Sequence, residues 1–302
     1  MIVVIGSINM DLVLRVPRMP LPGETLTGGA FRTIPGGKGA NQAVACARLS
    51  GNVAGAQQVA MVGCVGDDAF GATLRSALVG DGIIDSHITT LPGVASGIAS
   101  ILVDDNGQNS IVIAGGANDL LSPAHIDAAK ALIEQADIVV LQLETPMATV
   151  VHAIKLARSL GKTVVLNPAP AASLPEGVLE LVDYLIPNEI EAAMLAGVNP
   201  EGADVKALAA ALQKLGSDNV IITLGSKGVH AALYGGDYTF PAEAVKAVDT
   251  TAAGDTFIGG FVAGLASGMD EAEAIGQGQR AAAWSVTKPG AQTSIHHLHE
   301  LF

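Results

Sequence analysis

The chain has 302 residues, 49% apolar and only 15% charged, with 16 Lys and Arg against 29 Asp and Glu for a net charge of −13. High hydrophobicity with sparse charge excludes an intrinsically disordered chain, and the acidic balance argues against nucleic acid or an anionic membrane as partner, because both need basic patches. Glycine is the outlier, 36 residues or about 12% of the chain against roughly 7% usually, which signals many tight strand–helix turns, some of them near a ligand.

Residues 2–5 read as a buried strand with no cleavable leader before it, and no apolar run nears the roughly 18 residues of a membrane span, so a cytoplasmic protein is expected. The strand runs into Gly6-Ser7-Ile8-Asn9-Met10-Asp11, without the GxGxxG of a dinucleotide site. Residues 11–35 hold short alternating stretches, 12–16 and 25–31, with no helix between them. Next comes IPGGKGANQ, where Gly36, Gly37 and Gly39 flank Lys38, and Asn41 lies on the helix expected over 40–49. Backbone groups, Lys38 and the Asn41 amide suit a polar ligand. The stretch is no P-loop, because Gly39 stands where Ser or Thr must follow the lysine.

A strand over 59–65 precedes a second irregular region, 97–115, which reads as two strands joined by Asp104-Asp105-Asn106-Gly107, a strong hairpin signal. With 11–35 it predicts a small antiparallel sheet, a lid or an assembly surface. From there strands over 138–143, 163–166, 184–186 and 220–224 alternate with helices over 124–136, 147–160 and 204–215, with Ser122-Pro123 as a helix start. Near-continuously apolar strands joined by helices indicate a parallel sheet covered on both faces. No linker divides the chain, so one α/β domain over 1–302 is expected, with lid segments 11–35 and 97–115 inserted.

Polar residues stand just past several strand ends: Asn9 and Asp11, Glu144, then Asn188, Glu189 and Glu191, and the Gly225-Ser226-Lys227-Gly228 turn. One such residue is commonly a helix cap, whereas four such places together outline a site at the carboxyl edge of a sheet. In VDTTAAGDTFIGG a strand ends near Val248, Ala252, Ala253 and Gly254 make a tight turn, and a helix starts near Thr256. A helix start of small residues offers free N–H groups to a phosphate. Asp255 is then placed as a general base, or it simply caps the helix. His296, His297 and His299 lack metal spacing, Cys46 and Cys64 suit buried free thiols, and no Gly-x-Ser-x-Gly elbow occurs.

Together the segments GSINMD, PGETLTGGAF, GGKGANQAV, LQLETP, LNPAPA, PNEIEA, ITLGSKGV, DTTAAGDTF and KPGAQTS resemble, in order and spacing over residues 6–294, the PfkB carbohydrate kinase family. The pairing of GGKGAN with DTxxAGD is the specific part. Ala252 stands where the general pattern has glycine, which narrows the resemblance to the members that phosphorylate ribose.

The resemblance implies the ribokinase-like fold, a three-layer α/β/α arrangement with a mostly parallel central sheet and a small β-sheet lid. It implies ATP-dependent phosphorylation of the 5-hydroxyl of D-ribose. Asn9, Asp11, Gly37, Lys38, Asn41 and Glu144 would hold the sugar, and Asp255 would take the proton of the attacking hydroxyl. Backbone N–H groups of Ala252, Ala253, Gly254 and Asp255 would form the anion hole. Nucleotide contacts would come from Asn188, Thr223, Gly225, Ser226, Lys227, Gly228 and Gln279, the last standing where the family usually has Asn or His. Asn188 and Glu191 match the NxxE motif associated with Mg²⁺ and phosphate. A K⁺ would sit among oxygens of Asp249, Thr251, Ser285, Lys288, Gly290 and Ser294, and a homodimer would form through the lid. Another furanose such as 2-deoxyribose, a nucleoside, or a non-catalytic sugar or nucleotide sensor are the alternatives.

Overall fold

Four apolar residues, Ile2–Ile5, form β1 and are buried on both faces, Ile2 and Val4 in one layer of side chains, Val3 and Ile5 in the other. This double burial sets the plan of the whole molecule, seen in a computed structural model that describes residues 1–51 and 57–301. The chain continues through β2 (Asn9–Arg15), β3 (Phe31–Gly36), α1 (Lys38–Leu49), β4 (Val59–Gly66), α2 (Ala69–Gly80) and β5 (Ile84–Leu91). Then come β6 (Gly97–Val103), β7 (Asn109–Ala114), α3 (Pro123–Ala128), α4 (Lys130–Gln135), β8 (Ile138–Leu141), α5 (Met147–Ser159), β9 (Thr163–Leu166) and β10 (Tyr184–Leu185). The last third holds α6 (Glu189–Leu195), α7 (Val205–Lys214), β11 (Asn219–Thr223), β12 (Val229–Leu233), β13 (Gly236–Phe240), α8 (Ala253–Ala266), α9 (Glu271–Ser285) and α10 (Leu298–Leu301).

The large sheet has nine strands in the order β13-β12-β11-β10-β9-β8-β1-β4-β5. Pairing is parallel from β11 to β5 and antiparallel only at β11–β12 and β12–β13. Side chains of α1, α2, α8 and α9 fill the core on one face, and those of α3 to α7 fill it on the other. The expected doubly covered α/β sheet is therefore present. Among the described residues no helix is long and apolar enough to cross a membrane. Cys46 and Cys64 are buried and unbonded, and burial pushes their thiols up to about 12 and about 11, so neither is reactive.

Several sequence expectations need correction. The second sheet, β3-β2-β6-β7, is mixed and not antiparallel throughout, because β2 pairs with β6 in parallel. Both leave the large sheet in the same direction, β2 from β1 through residues 6–8 and β6 from β5 through 92–96. Residues 25–30 form no strand; instead the Gly29 N–H donates to the Arg15 carbonyl at 2.7 Å. The helix expected over 124–136 turns at Ala129 into α3 and α4, yet Ile126, Ala129, Leu132, Ile133 and Ala136 keep one apolar face in the core. No strand ends near Val248. The Val248 and Asp249 N–H groups both donate to the Val286 carbonyl, so this segment is pinned to the end of α9 and not to a sheet neighbour.

The chain passes from β1 at Ile5 to β2 at Asn9 within three residues, so both sheets meet at the carboxyl end of β1. At β1 the strand order also reverses, since β4 and β5 lie on one side and β8 on the other. In open α/β sheets a crevice forms at such a switch point, outside the carboxyl ends of the strands. Glycines make the crossing compact. A Cβ on Gly39 would lie 2.6 Å from Ser7 N, and one on Gly37, whose φ is 90°, would lie 2.7 Å from Asn9 N, closer than any Cβ tolerates.

Candidate active site

Two helix starts converge on this crevice. Small residues let α1 and α8 lie against each other: a Cβ added to Gly259 would stand 2.2 Å from the Ala45 Cβ. The contact brings Asn41 and Gln42, at the end of the first turn of α1 and just after it, onto Asp255, in the first turn of α8. Asn41 Nδ2 donates to Asp255 Oδ2 at 3.0 Å, and Gln42 Nε2 donates to Asp255 Oδ1 at 2.9 Å. Helix α8 begins at Ala253 and not near Thr256, after Ala252 takes a left-handed conformation at φ 58°. Asp255 is therefore not the N-cap. Its carboxylate points to α1, and α8 has no side-chain cap at all.

The first turn of a helix leaves its N–H groups without intrahelical acceptors. Ala253 N–H is turned to the Thr250 carbonyl at 3.3 Å, so of the four expected anion-hole residues this one is already engaged, while Gly254 and Asp255 place their N–H groups in the first turn of α8 at the positive end of the dipole. Ala252 supplies the left-handed turn that aims them.

A cluster of charge lies around Asp255. Glu144, just past β8, accepts from the Ser7 hydroxyl at 2.6 Å and from the Lys38 backbone N–H at 3.1 Å. Burial pushes the Asp11 carboxyl up to about 7, with the negative charges of Glu144 and Asp255 adding to the effect. Asp255 is likewise raised by burial, against the opposing pull of Lys38 and of the Asn41 and Gln42 amides. For the Lys38 ammonium, burial works downward, but Asp255, Glu144 and Glu191 outweigh it and the net shift is upward. Asn9 and Asp11 sit on β2 itself, and are not in a loop after β1. Asn118 Nδ2 donates to Asn9 Oδ1 at 2.7 Å, while Asn118 Oδ1 accepts from Ile8 N at 2.9 Å. This fixes the Asn9 amide with its NH₂ end turned away from Asn118, so Asn9 offers a donor beside the Asp11 acceptor.

The expected nucleotide residues also come together. Asn188 bridges to Thr223 across adjacent strand ends, and Thr223 N–H donates to the Pro187 carbonyl. Asn188 is the N-cap of α6 in a reciprocal capping box: Asn188 Oδ1 accepts from Glu191 N, and Glu191 Oε2 accepts from Asn188 N, each at 2.8 Å. The NxxE pattern is thus a helix cap whose carboxylate remains in the electrostatic field of Lys38 and Asp255. Gly225 and Gly228 have φ of 56° and 102°, and a Cβ on Gly228 would meet the Phe240 carbonyl at 2.0 Å. Gln279 Nε2 donates to the Phe240 and Pro241 carbonyls, so Gln279 borders the same turn with its amide N–H already engaged. Ser226 is exposed, and Lys227 reaches out to Glu189 at 3.1 Å.

Of the expected cation residues, Asp249, Thr251 and Gly290 meet directly. Asp249 Oδ1 accepts from Thr251 N and Oγ1, and Oδ2 accepts from Gly290 N at 2.9 Å. Burial tends to raise the Asp249 carboxyl, but these bonds hold it below the ordinary range. Lys288 N–H donates to the Ser285 carbonyl, and the Ser285 and Ser294 hydroxyls donate to the Ala282 and Ala291 carbonyls. One ionised carboxylate among neutral oxygens suits a hard monovalent cation, so the donor set fits K⁺. Among the described residues no cluster of three or more His, Cys, Asp or Glu cages a metal ion. Mg²⁺ normally binds through one or two carboxylates and substrate phosphates, and Glu191 fits that role.

Three side chains absent from the sequence expectations belong to the same constellation: Gln42, Gln142 and Asn167. All lie inside the GGKGANQAV, LQLETP and LNPAPA segments. Their positions next to Asn41 and Glu144 and past a strand end were the available signal.

Comparison with known proteins agrees with the geometry. The family described as pfkB family carbohydrate kinase matches residues 1–298. A ribokinase of Haemophilus influenzae is 47% identical over 97% of this chain and 94% of its own length. A deoxyribokinase of Salmonella typhi is 40% identical over 99% of this chain and 96% of its own length. A solved structure of Arabidopsis thaliana ribokinase complexed with ribose and ATP superposes with a TM-score of 0.89 at 31% identity, covering 99% of this chain and 96% of that one. With the doubly covered sheet, the small second sheet and the convergent helix starts all in place, the chain belongs to the pfkB family of carbohydrate kinases.

Proposed function

We propose that this chain transfers the γ-phosphoryl group of ATP to the 5-hydroxyl of D-ribose. The observation that carries the reading is Asp255: a buried carboxylate, held at both oxygens, in the N-terminal turn of α8, where first-turn N–H groups lack intrahelical acceptors. Base and anion site are thereby one residue apart. Asp255 takes the proton from the attacking hydroxyl, while Gly254 and Asp255 N–H receive the charge that develops on the transferring group. Little covalent work is needed from the protein, since phosphoryl transfer depends mainly on positioning and charge stabilisation.

Asn9 as donor and Asp11, Asn41 and Glu144 as polar partners hold the sugar hydroxyls, with Gly37 and Lys38 closing that end. Asn188, Thr223 and the 225–228 turn border the nucleotide, with Gln279 supporting that turn through Phe240 and Pro241. Glu191 would lie beside Mg²⁺ brought with ATP, which would supply neutralisation of phosphate charge, and the oxygens of Asp249, Thr251, Ser285, Lys288, Gly290 and Ser294 would hold a K⁺ that would supply local positive potential. The second sheet acts as a lid over the sugar, excluding water as a competing acceptor. Its edge strand β7 exposes Ile111, Val112 and Ile113, which supports a homodimer through the lid; a monomer by sedimentation at micromolar concentration refutes that pairing.

2-Deoxyribose is the second reading, favoured by the deoxyribokinase relative. With only 3% aromatic residues, base stacking for a nucleoside acceptor is not provided. A coupled ATPase assay across pentoses, 2-deoxyribose, hexoses and nucleosides decides. Ribose giving the highest kcat/KM is expected, and a tenfold preference for 2-deoxyribose overturns the assignment. Asp255→Asn is expected to lose at least about a hundredfold in kcat with unchanged circular dichroism.

A further inference from the structure

Asp255 is backed by a hydrogen-bonded network of buried amides that branches at Gln42. Gln42 Nε2 donates to Asp255 Oδ1 at 2.9 Å and to Asn167 Oδ1 at 3.2 Å. Gln42 Oε1 accepts from Gln142 Nε2 at 2.6 Å, and Asn167 Nδ2 donates to the Ile186 carbonyl at 2.8 Å. An ionised carboxylate only accepts, so Gln42 must turn its NH₂ to Asp255 and its oxygen to a donor. Gln142 is that donor. Gln42 has no exposed surface and Gln142 is 1% exposed, a place where packing alone favours Leu or Met. Gln142 Oε1 finds no partner among the described residues, and space for it exists only because residue 6 is glycine, where a Cβ would stand 2.0 Å from that oxygen. A buried polar chain with an orphaned end costs stability. Packing gives no reason to keep it, whereas holding a carboxylate does.

We infer that Gln42, oriented by Gln142 and Asn167, is a positioning residue that fixes the Asp255 carboxylate and holds it ionised as the general base. This rests on the reading of Asp255 as base. Aligned N–H groups favour the charged form of the acceptor they face, in a setting where Glu144 past β8, Asp11 on β2 and Glu191 on α6 oppose it and Lys38 on α1 supports it. Asn41 holds the other oxygen, so two consecutive amides near the start of α1 define the plane of the carboxylate.

The test uses Gln42→Met and Gln142→Met in the full chain, with ribose and ATP as substrates and pH varied from 5 to 9. Methionine keeps the length and volume and removes the hydrogen bonds. The expected result for Gln42→Met is a kcat at least about tenfold lower at neutral pH, KM values for both substrates within about twofold of wild type, and an acid limb of the kcat profile about one pH unit higher. Turnover should recover as pH rises. Gln142→Met should move the limb the same way by less, and it decides the matter if Gln42→Met does not fold. A purely structural role predicts a lower Tm with a wild-type pH limb, and that outcome overturns the inference. Asp255→Asn is measured alongside. If it keeps turnover, the base assignment falls and this inference with it. If it is inactive while the limb of both methionine variants is unmoved, only the inference falls.

Discussion

Replacing Asp11 by asparagine should make the free protein more stable as pH rises. Asp11 lies on β2 with 9% exposure, and burial followed by the charges of Glu144 and Asp255 lifts its carboxyl from the ordinary 3.8 to about 7. In the unfolded chain the group loses its proton near pH 4, whereas the folded protein keeps it until about pH 7. Between those values the native state binds the extra proton, so stability from this group is fully present below pH 4 and lost as pH climbs through 7. At 1.36 kcal/mol per pH unit the loss amounts to about 4 kcal/mol. Asparagine does not titrate. The difference in unfolding free energy between Asp11→Asn and wild type should therefore grow by about 4 kcal/mol from pH 4 to pH 7.5 and then level off. Urea unfolding followed by circular dichroism at half-unit pH steps measures it. Parallel curves for the two proteins across this range would refute the placement of Asp11 in a buried acidic cluster. The same variant should bind ribose more weakly, with a higher KM, because the acceptor beside Asn9 is lost. Gain of stability with loss of function is what a strained polar site predicts.

Gly37→Ala should lower stability by at least about 1–2 kcal/mol, the cost of a left-handed conformation for a residue with a Cβ. The close approach to Asn9 N adds to this. Differential scanning calorimetry showing a Tm within a degree of wild type would disprove that contact. Exchange of K⁺ for Na⁺ in the assay buffer should reduce kcat, and equal rates in the two salts would remove the cation from the oxygen set around Asp249. Stability in the absence of nucleotide should respond to the same exchange, because a bound ion stabilises the state that holds it.

The large sheet was legible in the sequence because its strands are buried on both faces and read as unbroken apolar runs, as in IVVI of β1 and IVVL of β8. Strand β5, IDSHITTL, was missed because an edge position leaves alternate residues partly exposed and admits Asp, Ser, His and Thr. The same holds for β13, GDYTF, four of whose residues are exposed. Parallel pairing of β2 with β6 was hidden for another reason: direction depends on where each strand leaves the large sheet, which no local pattern records. At the site, glycines and charged residues were readable from spacing, since few places tolerate Gly-Gly-Lys-Gly before an apolar helix. Gln42 was not, because a glutamine near the start of a helix is ordinary on a surface. Only the packing of α8 onto α1 shows that it has no exposure at all.

Under the proposed assignment of the site, that packing also accounts for how a protein of net charge −13 can handle a triphosphate. The crevice is not uniformly acidic. At its sugar end Asp11, Glu144 and Asp255 present acceptors around the single Lys38, which suits neutral hydroxyl groups and repels phosphate. At the start of α8 first-turn N–H groups and a helix dipole present donors, with no carboxylate other than Asp255 in the turn. A ligand with hydroxyls at one end and phosphates at the other has only one favourable orientation across this gradient. Asp255 belongs to both ends at once, its N–H in the donor set and its carboxylate in the acceptor set. In the proposed reaction the reacting hydroxyl and the transferring phosphoryl group therefore meet at this residue, and the direction of transfer follows from the polarity of the crevice rather than from the charge of the protein as a whole.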